Sequence, residues 1–176
     1  MSLNKFNSTI VSGVKWLAIY LLIGGIVGTA TAFFLQTLDY VTLFREKHIW
    51  VVYFLPLAGL VIGLVYYYYG ESANKGNNLL IETHHSLENG ETPKPVPFKM
   101  APLVLFSTLL THIAGGSAGR EGTAVQMGGA IADQFTGIFK LDAADRKTIL
   151  IIGISSGFAA VFGTPLAGAI FALEIL

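Results

Sequence analysis

Apolar residues fill long stretches of this chain, and polar ones gather in the gaps between them. From Trp16 to Leu38 there is no charged residue, and the run exceeds the roughly 20 residues that a helix needs to cross a bilayer core. Trp50 to Tyr69 is a second uncharged run. It closes on Tyr66-Tyr67-Tyr68-Tyr69, a cluster that suits the aromatic belt at a membrane–water interface. Met100 to Ile113, Thr123 to Phe139 and Ile149 to Leu176 are further apolar stretches, each interrupted by glycine, proline or an acidic residue. Broken apolar segments belong to transporters more than to simple anchors. The pattern predicts an all-α, polytopic membrane protein, with a polar N-terminal tail over residues 1–12 and a membrane domain over residues 13–176.

The polar gaps predict the connections. Arg45-Glu46-Lys47-His48 reads as a short charged link between the first two helices. The longest polar stretch runs from Gly70 to Lys99 and ends on Pro93, Pro95 and Pro97, whose alternation excludes a regular helix and favours an extended segment. Ahead of them, Asn78 to Leu87 predicts a short helix. Asp142 is placed to cap the helix that follows the link at Asp142 to Lys147. Three pairs, Gly24/Gly28, Gly59/Gly63 and Gly153/Gly157, have the G-x-x-x-G spacing that clears one helix face for close packing in lipid. Ala30-Thr31-Ala32 has the form of a signal-peptidase site, but the apolar run continues past it, so an uncleaved membrane helix is expected.

Composition sharpens the membrane reading. Charged residues make up 12% of the chain and hydrophobic ones 53%, where soluble domains carry about 25% charged residues. Eleven basic and eleven acidic residues balance, so nothing points to nucleic acid as a partner. The lysines and arginines are spread too evenly to set an orientation by the positive-inside rule. With no cysteine, thiol chemistry and Cys-based metal sites are excluded.

Glu121 is the first candidate for function. It stands beside Arg120 in the glycine-rich break Gly115-Gly116-Ser117-Ala118-Gly119-Arg120-Glu121-Gly122-Thr123, between two apolar segments, where charges are costly and usually functional. Thr123 onward reads as a helix start, and helix starts present free N–H donors and partial positive charge to anions. A carboxylate there can fill the anion position itself and leave it when protonated. The bland alternative is a tight turn in which Arg120 and Glu121 neutralise nearby partners. A phosphate-binding loop is excluded, because the glycine–lysine pair it needs is missing. Gly163-Thr164-Pro165 marks another broken helix, with Thr164 as cap and Pro165 at the first helical position. Glu174 beyond it is expected to be a structural carboxylate bonded within the protein. At Gly76-Asn77-Asn78-Leu79-Leu80, Asn77 or Asn78 can cap the short helix or offer an amide donor to an anion. Glu82, His84, His85 and Glu88 follow in a polar loop and are read as solvated, with no metal and no cofactor expected. No nucleophile or cofactor loop supports an enzyme.

Gly119-Arg120-Glu121-Gly122, followed in order by Gly163-Thr164-Pro165-Leu166-Ala167-Gly168, resembles the CLC family of chloride channels and proton-coupled antiporters over most of residues 16–176. The resemblance implies that Glu121 is the gating and proton-carrying glutamate, with Asn77, Gly119, Arg120, Gly122 and Thr123 around the anion and Gly163, Thr164 and Pro165 as the later helix start. Three positions depart from the chloride pattern: Thr123 replaces a proline, Gly76-Asn77-Asn78 replaces a serine turn, and Ile175 replaces an inner proton-handling glutamate. They are similar to the fluoride-exporting branch, which implies fluoride export coupled to proton entry. A chloride channel or chloride/proton antiporter is the alternative, and a non-conducting membrane scaffold or partner subunit the alternative of another class. Each family pore is built from two inverted repeats and is expected to work as a homodimer in the cell membrane. This chain reads as the first repeat half, which requires a second.

Overall fold

The structure, a computed structural model, describes the backbone from Leu3 to Leu176 and the side chains from Gly13 onward, Glu71 excepted. Seven α-helices make up almost all of it: α1 (Leu3–Lys47), α2 (Leu55–Tyr69), α3 (Asn77–Glu88), α4 (Met100–Ile113), α5 (Arg120–Phe139), α6 (Ala143–Phe162) and α7 (Pro165–Ile175). Single 3₁₀ turns, Ile49–Phe54 and Glu71–Lys75, lead into α2 and α3.

The first helix is longer at both ends than the polarity pattern suggests. The polar segment expected as a tail over residues 1–12 lies partly outside the described residues, and from Leu3 its backbone already belongs to α1. At the other end Arg45 and Lys47 form its last turn instead of a link, because basic side chains near a helix C-terminus interact favourably with its dipole. Along α1 a stripe at Ile19, Ile23, Val27, Thr31, Phe34 and Leu38 is buried, at the spacing of one helix face. The opposite face is apolar too, and exposed: Leu21 is 69% accessible and Phe33 61%. α2 carries the same logic further, with only Ala58 buried. The spans Gly13–Lys47 and Ile49–Tyr69 are long and apolar enough to cross a bilayer, with mean hydropathy 2.0 and 2.2. Their outward apolar faces have lipid as the matching solvent.

At the centre, α5 and α6 pack against each other through glycine. A side chain on Gly128 would collide with the carbonyl oxygen of Gly153, one on Gly153 with that of Gly128, and one on Gly157 with that of Ala124. Close backbone approach of this kind is what small residues provide in membrane bundles. The other G-x-x-x-G pairs differ. A side chain at Gly24 would come within 3.7 Å of Ser156, and Gly28, Gly59 and Gly63 face nothing within 4 Å. Asp142 caps α6, its carboxylate accepting from the Asp145 N–H at 2.8 Å.

The proline segment after α3 has no regular secondary structure, and side chains hold its backbone. Between Pro95 and Pro97 only Val96 has an N–H to give, and it donates to Asp133 Oδ2 at 2.6 Å. Gln134 Nε2 donates to the Val96 carbonyl at 2.8 Å. Arg146 Nη1 and Nη2 donate to the carbonyls of Pro93 and Lys94 at 2.7 and 3.0 Å. The same guanidinium binds Asp133 through Nε and Nη2, at 2.7 and 2.8 Å. Asp133 and Arg146 are buried, and this paired, fully bonded geometry is what makes buried charge tolerable.

Candidate functional site

The break before α5 is shaped by glycine. Gly115 sits at φ +85° against Val52 of the 3₁₀ turn, where an added side chain would approach the Val52 methyl to 2.7 Å. The chain then runs without regular structure to Gly119, the extended N-cap of α5, which supplies no side-chain cap. The first intrahelical acceptor is Gly119, whose carbonyl takes the Thr123 N–H at 3.4 Å. The N–H groups of Arg120, Glu121 and Gly122 have no acceptor inside the helix.

The Glu121 carboxylate is half exposed, and its nearest charged partner is Arg120 Nε at 3.9 Å. A half-exposed pair at that distance holds its partners weakly. The carboxylate opens on a cavity of about 460 Å³ bounded by Leu38, Asp39 and Thr42 of α1, His112 of α4 and the stretch Ser117 to Glu121. That volume accommodates several waters or a small anion.

A second uncapped helix start lies next to α5. α3 begins at Asn77, its N-cap position is taken by Gly76, and no side chain caps it. Gly76 adopts φ +57°, and the space beside it is filled by the Gln126 amide. The Asn77 amide nitrogen lies 3.6 Å from where a side chain on Gly122 would begin, and its Oδ1 is buried with no hydrogen-bond partner among the described residues. The structure thus places Gly119, Arg120 and Glu121 on the cavity wall and Asn77 beside Gly122.

Thr123 is bonded within the protein, and Gly163-Thr164-Pro165 forms the helix start expected of it. Thr123 is buried, and its hydroxyl donates to the Gly119 carbonyl at 3.1 Å and meets Thr108 Oγ1 at 2.7 Å. With its N–H also on Gly119, it braces the helix start. Gly163, Thr164 and Pro165 form the α6–α7 turn, with Gly163 at φ +67° and Pro165 opening α7. They are exposed and do not line the Glu121 cavity. Thr164 occupies the N-cap position without a side-chain hydrogen bond; its carbonyl instead accepts the Gly168 N–H at 3.1 Å. Glu174, expected to be bonded within the protein, is exposed. His84, His85 and Glu88 bring their ligand atoms within 4.8 Å of one another. Glu88, however, already lies between His85 at 3.7 Å and the Lys147 ammonium at 3.8 Å.

Asp39, His112 and Gln126 are neighbours of the site that sequence reasoning missed. The available signal was position: Asp39 is the first charge after the uncharged run, and His112 closes the apolar segment before the glycine break.

Residues 81–176, more than half of the chain, match the family described as "Voltage gated chloride channel". The chain belongs to that family. It is 52% identical over 162 residues to the "Chloride/fluoride channel protein" of Pseudomonas syringae pv. tomato, covering 92% of this chain and 35% of that one. It is 33% identical over 165 residues to an "H(+)/Cl(-) exchange transporter" of Cronobacter sakazakii, covering 87% of this chain and 35% of the relative. Among solved structures, a "CLC-type fluoride/proton antiporter" superposes with a TM-score of 0.82 at 36% identity, over 89% of this chain and 38% of that one. The chain spans little more than a third of the length of the curated relatives it matches. The fold is therefore that of a CLC half.

Proposed function

We propose that this chain forms the first half of a transporter that exports fluoride in exchange for protons, with Glu121 as gate and proton carrier. The observation that carries the reading is a weakly held carboxylate at an uncapped helix start, opening on a cavity. The free N–H groups of Arg120, Glu121 and Gly122 and the positive end of the α5 dipole attract negative charge. Either a mobile anion or the Glu121 carboxylate can take that place. Ionised, Glu121 competes with the anion; protonated, it loses its charge and its claim on the donors. One proton then moves one way as the anion moves the other. The Asn77 amide, beside Gly122, adds a donor where a second uncapped helix start points.

The names of a 52%-identical relative and of a 36%-identical solved structure both include fluoride, and this favours fluoride over chloride. The membrane location, the need for a second repeat half and the assembly of complete proteins as homodimers belong to the same proposal. The experiment is fluoride and proton flux in liposomes carrying this chain together with the second half of the fold. Glu121→Gln is expected to abolish proton coupling while leaving the protein folded, since the isosteric amide keeps the volume and removes the titration. Coupled flux that survives the substitution would remove Glu121 from the gate. Equal flux of chloride and fluoride would sink the fluoride assignment alone.

A further inference from the structure

Asp39 and His112 share the Glu121 cavity, yet nothing in the gate reading uses them. His112 is in the last turn of α4, and its Nδ1 lies 2.9 Å from the Thr108 carbonyl. A carbonyl has no hydrogen to donate, so Nδ1 carries it and Nε2 is left as the atom that gains and loses a proton. The bond also fixes the ring, because Thr108 is itself tied to Thr123 at the start of α5. The imidazole is thereby held at a set place relative to Glu121. Asp39 of α1 is the one further carboxylate on the wall. The charged and titratable groups that line the cavity with His112 are Asp39 from α1 and Arg120 and Glu121 from α5.

We propose that His112 is the proton donor to Glu121 on this side of the membrane. This rests on the reading of Glu121 as gate. In the step, the Nε2–H bond of the imidazolium breaks and an O–H bond forms on the Glu121 carboxylate, directly or through cavity water. The neutral imidazole then takes a proton from bulk water.

The test has two arms. In liposomes with the complete fold, His112→Gln is expected to slow proton-coupled fluoride flux about tenfold, within the range of a lost acid–base group. The loss should grow as pH rises and diminish at low pH, where water can protonate Glu121 unaided. A uniform loss at all pH values would mark His112 as merely structural. The second arm needs no transport: histidine ring signals of this chain in detergent, with His112 assigned by its loss in His112→Gln. With the Nδ1 hydrogen on the Thr108 carbonyl, the neutral His112 ring should show the Nδ1–H tautomer in its ring nitrogen signals. The Nε2–H tautomer would overturn the inference about His112 and leave the gate reading standing. Coupling that persists in Glu121→Gln overturns the gate reading instead.

Discussion

Thr123, which stands where the chloride pattern has proline, ties the start of α5 to a neighbouring helix. Its hydroxyl is the link between α4 and α5, bonded to Thr108 on one side and Gly119 on the other. Replacing it with valine keeps the volume but leaves Thr108 without its partner in a buried place, a loss of about 1–3 kcal/mol. The double substitution Thr108→Val with Thr123→Val should recover part of that loss, because no orphan hydroxyl remains. Thermal or denaturant unfolding of the four variants as a double-mutant cycle checks this, with a coupling energy above about 0.5 kcal/mol expected for residues in contact. Additive single effects would show that the two hydroxyls do not share a bond. Sequence reading could place Thr123 beside Glu121 but could not see Thr108, which lies one loop back and is contacted only once the chain has turned.

At the scale of elements, the helices were largely legible and their partners were not. Apolar runs, the Asp142 cap and the Gly163–Pro165 break are local signals, and each marks an element boundary in the structure. The extent of α1 was harder to read, since polar residues without proline or glycine continue a helix as readily as they end it. The G-x-x-x-G pairs look alike in sequence yet differ in consequence. Gly153→Ala or Gly128→Ala would drive a methyl group into a backbone carbonyl of the facing helix. Backbone cannot swing aside, so about 1–3 kcal/mol of stability should be lost. Gly59→Ala and Gly63→Ala meet nothing within 4 Å and should be neutral or stabilising by up to about 1 kcal/mol through helix propensity. Melting temperatures in one detergent would separate the classes, and equal effects at all four glycines would refute the crossing.

The whole molecule carries its apolar surface on the outside. Leu57, Leu60 and Leu64 of α2 and Leu166, Ile170 and Leu173 of α7 are all exposed, which in water would be an aggregation surface. The chain should therefore remain with the bilayer fraction after extraction of membranes at alkaline pH, assayed by sedimentation. Release into the supernatant would contradict the two spanning helices. The least legible part of the molecule was the strap of Pro93 to Val96, because Asp133, Gln134 and Arg146 hold it from 37 to 53 residues away. The Val96 amide has a consequence of its own. Flanked by two imino acids, it is an isolated exchangeable hydrogen, and it is secured by a carboxylate in the core instead of by a helix. Helical amides can fray a turn at a time, but this one is freed only when α5 and α6 release the strap together. Its deuterium uptake is thus a clock for the cooperative opening of the bundle, readable at one residue.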